Sequence, residues 1–328
     1  MPTRHSLTKF ALLVTFVFGI AAAAPAALRA DDSFDRTLTV SGPVHLELSN
    51  GSGNVSIRGT ATGKVHIHGK VTSGWSLFSS SGHNVQDVVA NPPIEQSGDT
   101  IRVGKSSNWV KNVSIDYDIE VPKETDIDAS VASGGMTIDD IRGPVKASAA
   151  SGYLHVYRVE RDTQLSAASG AVEVSNIGGF LRVSNASGDI TASNIKGDVK
   201  LNSASGSIHL QNAGDRVEAT AASGSIEVQG VSSDLRVHAI SGAINVEGDP
   251  SASRLWELKS VSGSVDVRVP SSAGFLLSAE ATSGDIRTNI PVVIEEQGKH
   301  SLRAHVGNSS GRIEVHTVSG AINVRGGA

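Results

Sequence analysis

Along the middle of the chain, apolar side chains recur at fixed distances from a Ser-Gly dipeptide. The dipeptide starts at Ser133, Ser151, Ser169, Ser187, Ser205, Ser223 and Ser241, each 18 residues after the one before. Two residues beyond each Gly stand Met136, Leu154, Val172, Ile190, Ile208, Ile226 and Ile244, and four beyond stand Ile138, Val156, Val174, Ala192, Leu210, Val228 and Val246. Polar residues separate the two sets, so the pattern is the period-two alternation of a strand with one buried face. A third apolar site follows seven residues after Gly, at Ile141, Val159, Ile177, Ile195, Ala213 and Val231. The triplet then returns nine residues later, as Val145, Ala147 and Ala150, as Leu181, Val183 and Ala186, or as Val199, Leu201 and Ala204. Each unit therefore reads as two nine-residue halves, each a short strand and a corner.

A helix is excluded because Gly falls in every unit, β-branched residues fill the apolar sites and the spacing is two. An antiparallel meander does not suit units that demand the same position over itself repeat after repeat. The pattern predicts an all-β fold, a parallel β-solenoid (single-stranded β-helix) with one 18-residue unit per coil, rising by about 4.8 Å. Two columns follow. Gly supplies a turn with positive φ, and Asn176, Asn194 and Asn212 stack as an amide ladder along a corner. Beyond Ser241 the series continues at Ser262 and Ser283 in steps of 21, then at Ser310 and Ser319.

A longer period overlies the short one. The outward residues Thr137, His155 and Glu173 are followed by Thr191, His209 and Glu227; Lys146, Gln164 and Arg182 are followed by Lys200, Glu218 and Arg236. A three-coil block of 54 residues has been duplicated. Both columns are read as inheritance on a solvated face rather than as functional stripes.

Three regions are expected: a signal peptide over 1–30, an N-terminal β-strand section over 31–128 and the solenoid repeat over 129–328. Arg4, His5 and Lys9 precede an uncharged apolar stretch from Phe10 to Ala24 and a small-residue end, Ala21 to Ala27, the order of an export signal. Cleavage is expected near Ala26 or Ala30, leaving a mature chain that does not span a membrane. In the second region alternation persists less regularly, as in Val44-His45-Leu46-Glu47-Leu48, Val65-His66-Ile67-His68 and Val113 to Ile119, ending at Val121-Pro122. Trp75, Phe78 and Trp109 lie in its loops and are read as plugs at the end of a core. The last stretch, Gly311 to Val324, is expected to form the terminal coils, whose open edges need shielding or a partner.

The order of an N-terminal strand section, Val121-Pro122-Lys123-Glu124-Thr125, serial units such as Ala186-Ser187-Gly188-Asp189-Ile190, and a closing Thr317-Val318-Ser319-Gly320-Ala321-Ile322 resembles a family of bacterial β-strand-repeat proteins. That family is classed as a domain of unknown function and labelled as candidate adhesins. The resemblance implies a β-solenoid at the cell envelope and supplies no catalytic or binding residues.

Composition narrows the function. Lys and Arg number 28 against 33 Asp and Glu, a net charge of −5, so no general attraction for nucleic acid is expected. With no Cys, disulfides, thiolate metal sites and cysteine nucleophiles are excluded. Aromatics are only 4% of the chain, so the core must be built from aliphatics.

The turns lack the recurring carboxylates of calcium-binding β-rolls. His45, Glu47, His66 and His68 alternate outward on strands expected to be neighbours and are weighed as a surface metal site, but are read as solvated face residues. His155 and His209 are too far apart to share a ligand. Asp139 with Asp140 and Glu295 with Glu296 are weighed as the paired carboxylates of a polysaccharide-cleaving enzyme, and are expected in turns. No nucleophile elbow, phosphate loop or dinucleotide fingerprint is present. No catalytic, cofactor-binding or metal residue is assigned, and no cofactor. The expectation is an exported, non-enzymatic adhesin, binding or scaffolding module of the envelope, periplasmic, surface-bound or secreted, whose partners are glycans or another envelope protein. The alternatives are a polysaccharide-active β-helix enzyme and a self-assembling scaffold.

Overall fold

The computed structural model describes residues 32–73, 82–104, 113–308 and 311–327; the expected signal peptide and Trp75, Phe78 and Trp109 lie outside them. Two sheets, of 14 and 15 strands among the described residues, face each other. Each 18-residue unit gives one strand to each. In the first sheet Leu154–Val159 lies parallel to Val172–Ile177, with Leu154 opposite Val172. In the second, Val145–Ser151 lies parallel to Thr163–Ser169, with Val145 opposite Thr163. The same register carries on through Leu235–Ser241 and along Ile244–Gly248 as far as Glu247, so like side chains stand over like and the chain is a parallel β-solenoid. Alternating Val, Ile, Leu and Ala from both sheets fill one continuous core, as a two-sided coil of this width requires.

The Ser-Gly corner needs glycine twice over. Gly152 has φ 122°, and a Cβ built on it would lie 2.1 Å from the carbonyl oxygen of Gly134 in the preceding coil. The corner amides are satisfied from coil to coil: the Gly152 N–H donates to the Ser169 carbonyl at 3.1 Å and the Leu154 N–H to that of Ala171 at 3.0 Å. The opposite corner is left-handed as well. Asp140, Arg158, Asn176, Asn194, Asn212 and Gly230 occupy it in successive coils with φ between 52° and 68°, a conformation that Asn tolerates better than most residues. The expected ladder is present there, Asn212 Nδ2 donating to Asn194 Oδ1 at 3.0 Å and Asn194 Nδ2 to Asn176 Oδ1 at 3.4 Å.

The two halves of a unit are not equivalent, contrary to the expectation of a repeated triplet. In the second half the third inward residue is Ala149, Ala167, Asn185, Ser203, Ala221 or Ala239, while Ala150, Ala186 and Ala204 face solvent. The left-handed residue shifts the alternation by one in the first half. In the second half alternation runs unbroken to the Ser-Gly corner, where two consecutive residues point outward. The polar residues at the third inward site are used there: buried Asn185 donates from Nδ2 to the carbonyls of Gly170 at 2.9 Å and Gly188 at 3.0 Å, tying two corners together.

At both ends spatial order departs from chain order. His45–Ser52 and Val55–Thr60 form a coil against Asp126–Ser133 and Met136–Ile141. Val113–Pro122 then lies on the far side of Val55–Thr60, so the segment after Pro122 passes back over that coil. Ser33–Thr39 and Lys64–Ser73 complete this end antiparallel, with Phe34 edge-on to Tyr117 at 6.2 Å. A helix that the strand reading did not anticipate, Gly82–Ala90, buries Val85 and Val88; its apolar residues recur at helical spacing over too short a run to stand out among strands.

The final stretch does not form the terminal coil. Gly311–Ser319 inserts between Trp256–Ser262 and Phe275–Ser283. Ile322–Gly327 likewise inserts between Val265–Pro270 and Ile286–Thr288. The outermost strands of the second sheet are instead Ser301–Val306 and Val293–Gln297, both antiparallel.

Candidate functional site

The outer face of the first sheet carries the row Thr137, His155, Glu173, Thr191, His209, Glu227 in the expected order. The duplication shows in its contacts: His155 Nε2 lies 3.7 Å from Glu173 Oε2, and His209 Nδ1 lies 3.2 Å from Glu227 Oε2. What differs is the company each histidine keeps. His209 stands between Ser207 and Gln211, whereas His155 stands between Tyr153 and Tyr157.

These two are two of the three tyrosines in the chain, and strand alternation turns both outward. The Tyr153 ring is 4.5 Å from the His155 ring, tilted by 32°, and His155 is 6.0 Å from Tyr157. Tyr153 lies flat against the neighbouring coil because Gly135 leaves room: a Cβ there would be 2.0 Å from Tyr153 Cζ. Tyr153 remains 39% exposed. The result is a fixed aromatic strip on an otherwise polar face.

Charged groups border it. Arg158 pairs with Asp139 Oδ2, while Asp139 Oδ1 is shielded from water without a hydrogen-bond partner. Burial, and then the nearby Glu173 carboxylate, push the Tyr157 hydroxyl above its ordinary pKa. Comparing the copies 54 residues apart was the sequence signal that could have found this site.

The residues weighed from the sequence fall elsewhere. His45 and Glu47 lie in the second sheet, His66 and His68 in the first, so the four do not meet: the two strands that carry them are in different sheets and do not pair. His66 and His68 approach Asp35 Oδ1 at 3.6 and 3.0 Å, and His45 approaches Asp126 at 3.4 Å. Among the described residues no group of three or more His, Asp or Glu is arranged to hold a metal ion.

Asp139 and Asp140 sit at the end of a strand and take different partners, Asp139 pairing with Arg158 and Asp140 with Lys123 at 2.7 Å. Glu295 and Glu296 lie in the edge strand Val293–Gln297, not in a turn, because that segment pairs antiparallel with Ser301–Val306. Glu295 is matched by His305 at 2.7 Å and Arg303 at 3.6 Å. The second outward row is a chain of surface ion pairs, Lys146 with Asp128, Lys200 with Glu218 and Arg236 with Glu257, each worth little to stability.

The model of the family described as Toastrack DUF4097 matches residues 44–325. The chain belongs to this family. Among solved structures, this Toastrack chain is similar to a candidate cell-adhesion protein from Clostridium sporogenes, with 14% identity, covering 90% of this chain and 100% of that one, at a TM-score of 0.20. It is also similar to a candidate adhesin from Bacteroides fragilis, with 13% identity, 90% and 96% coverage and a TM-score of 0.32. A third, a candidate lipid-binding protein from Parabacteroides distasonis, has 11% identity, 89% and 96% coverage and a TM-score of 0.37. Likenesses of this degree carry no argument about function. No curated protein matches the chain in sequence.

Proposed function

We propose that this Toastrack chain is an exported, non-enzymatic binding module of the bacterial envelope that acts as an adhesin, holding glycans on the outer face of its first sheet. The observation that carries this reading is the strip Tyr153, His155, Tyr157, which interrupts an inherited polar row. A pyranose ring presents one face of C–H groups and a rim of hydroxyls, the complement of a flat aromatic surface edged by donors and acceptors. Asp139 and Glu173 beside the strip disfavour acidic sugars. The support for a role without turnover is that, of the carboxylates weighed for catalysis, Asp139, Asp140 and Glu295 are each engaged in an ion pair. Export rests on the basic and apolar order of the first residues; among the described residues no helix is long and apolar enough to cross a membrane.

Titration calorimetry against a panel of neutral and acidic oligosaccharides tests the reading. A saturable neutral ligand is expected, with Tyr153→Ala and Tyr157→Ala each weakening it about tenfold, or about 1.4 kcal/mol. Undiminished binding by both variants, or release of reducing ends from the panel, defeats it. One observation favours self-assembly as a second reading: in the edge strand Val293–Gln297, Val293 and Ile294 are exposed, which invites pairing with another strand. Light scattering across a concentration series decides it, and a constant monomer removes it.

A further inference from the structure

On the second sheet the residue before each Ser-Gly points outward. Ala132, Ala150, Ala168, Ala186, Ala204 and Ala222 fill that column in six coils, and then it changes to Ile240, Val261 and Val318. These three lie on adjacent strands and are 59%, 50% and 51% exposed. A second row, two residues upstream on the same strands, runs Ser148, Ser166, Ser184, Asn202 and Thr220 and then becomes His238, Lys259 and His316, which are register partners, with Glu280 beyond His316. The block copy of His238 and Ile240 is Ser184 and Ala186, so both substitutions arose in one coil of one copy. The two rows line a surface groove of about 720 Å³, within the range of small-molecule sites.

The shape selects the occupant. The apolar row is one side chain wide, with nitrogen bases on one side and Ser241, Ser262 and Ser319 on the other. A strip so narrow cannot supply the roughly 800 Å² that each partner of a standard protein interface buries. It spans two strand spacings, or about 10 Å, the scale of one short hydrocarbon chain. The bases are partly engaged: Lys259 pairs with Glu257, and His316 Nδ1 is 3.3 Å from Glu280. Nε2 of His238 has no hydrogen-bond partner and is shielded from water beneath the row, so the exposed bases nearest the apolar strip are Lys259 and His316.

We propose that this groove binds a medium-chain fatty acid, its hydrocarbon across Ile240, Val261 and Val318 and its carboxylate against Lys259 and His316. The site is independent of the aromatic strip, which lies on the other sheet.

Titration calorimetry of the full chain with decanoate and with decanol, both below their aggregation concentrations, tests it. Decanoate is expected to bind one to one and about tenfold more tightly than decanol. Val261→Asp and Val318→Ser, at half-exposed positions that the fold does not need, are expected to weaken decanoate about tenfold. Lys259→Gln is expected to bring decanoate and decanol to the same affinity, and Tyr153→Ala to leave decanoate binding unchanged. The proposal is overturned if decanoate does not saturate the protein, if decanol binds as tightly as decanoate, or if Val261→Asp and Val318→Ser, with circular dichroism unchanged, both bind decanoate like the parent chain.

Discussion

The three coils carrying Thr137, His155 and Glu173 and the three carrying Thr191, His209 and Glu227 are copies of one block, and they have diverged on opposite faces. The first copy changed on the first sheet, where Tyr153 and Tyr157 stand in place of the residues that correspond to Ser207 and Gln211. The second copy changed on the second sheet, where His238 and Ile240 correspond to Ser184 and Ala186. Inward positions changed little: Leu154, Val156 and Val159 match Ile208, Leu210 and Ala213. The lesson is that in a repeat of this kind, recurrence along a row reports the fold, and the places where two copies disagree on the outside are where to look for function. His155 and His209 alone would mislead, because the pair with Glu recurs in both.

If the copies are structurally equivalent, the largest effects must be equal in both. Gly152→Ala and Gly206→Ala put a Cβ at 2.1 and 2.2 Å from the carbonyl oxygen of the glycine one coil back, at positive φ. Each is expected to cost about 3 kcal/mol, read as matching drops in urea midpoint; a twofold disparity would break the equivalence.

Next in size is a graft. Asp189→Gly, Ser207→Tyr and Gln211→Tyr together are expected to copy the aromatic strip into the second block and raise the glycan stoichiometry from one to two. Asp189→Gly is included because Asp189 stands where Gly135 admits the Tyr153 ring, and its Oδ1 accepts from the Ser207 N–H at 2.8 Å. An unchanged stoichiometry in a folded graft means that Tyr153 and Tyr157 need more than each other.

Asn194→Ala, at φ 56°, should lose about 1 kcal/mol in the same urea titration, and Asn194→Gly less, since Gly keeps the backbone conformation and forfeits only the ladder.

The smallest effect is electrostatic. Hydrogen bonding to Lys200 holds the Glu218 carboxyl below its ordinary pKa, whereas the first copy has Gln164 in its place. A depressed carboxyl contributes stability above its unfolded pKa that is lost as pH falls through the folded one. Glu218→Gln is therefore expected to flatten part of the decline in urea midpoint below about pH 4.3, and a curve that keeps its slope would show that the surface pair contributes nothing.

Much of this architecture was legible because the signal is periodic. Six steps of 18 predicted the coil, the Gly conformation and the Asn ladder, since stacking in register makes each position answer to its own copy. The phase error at Ala150, Ala186 and Ala204 arose because Ala reads as inward or outward equally well; only the burial of Asn185 and Ser203 beside them reveals the true inward position. The helix Gly82–Ala90 was hidden by its brevity. The candidate sites were partly legible: Tyr153, Tyr157, His238 and Ile240 are outward by alternation, but their proximity across strands depends on register. His45, Glu47, His66 and His68, read as solvated face residues, are kept apart as well, because the strands that carry the two pairs belong to different sheets.

By itself the sequence determined the unit: strand, corner, strand, corner, with glycine where neighbouring backbones crowd and β-branched residues where they bury. Those are local demands, written into every repeat. The order of the end coils was decided only by the tertiary structure. An edge of either sheet offers the same row of backbone donors and acceptors to any strand, so the unit pattern does not say which arrives beside it. Gly311–Ser319 slips between Trp256–Ser262 and Phe275–Ser283, and Val113–Pro122 lies beyond Val55–Thr60. That insertion is also what sets Val318 next to Val261 and His316 next to Lys259, because hydrogen-bonded register places side chains from distant parts of the chain about one strand spacing apart.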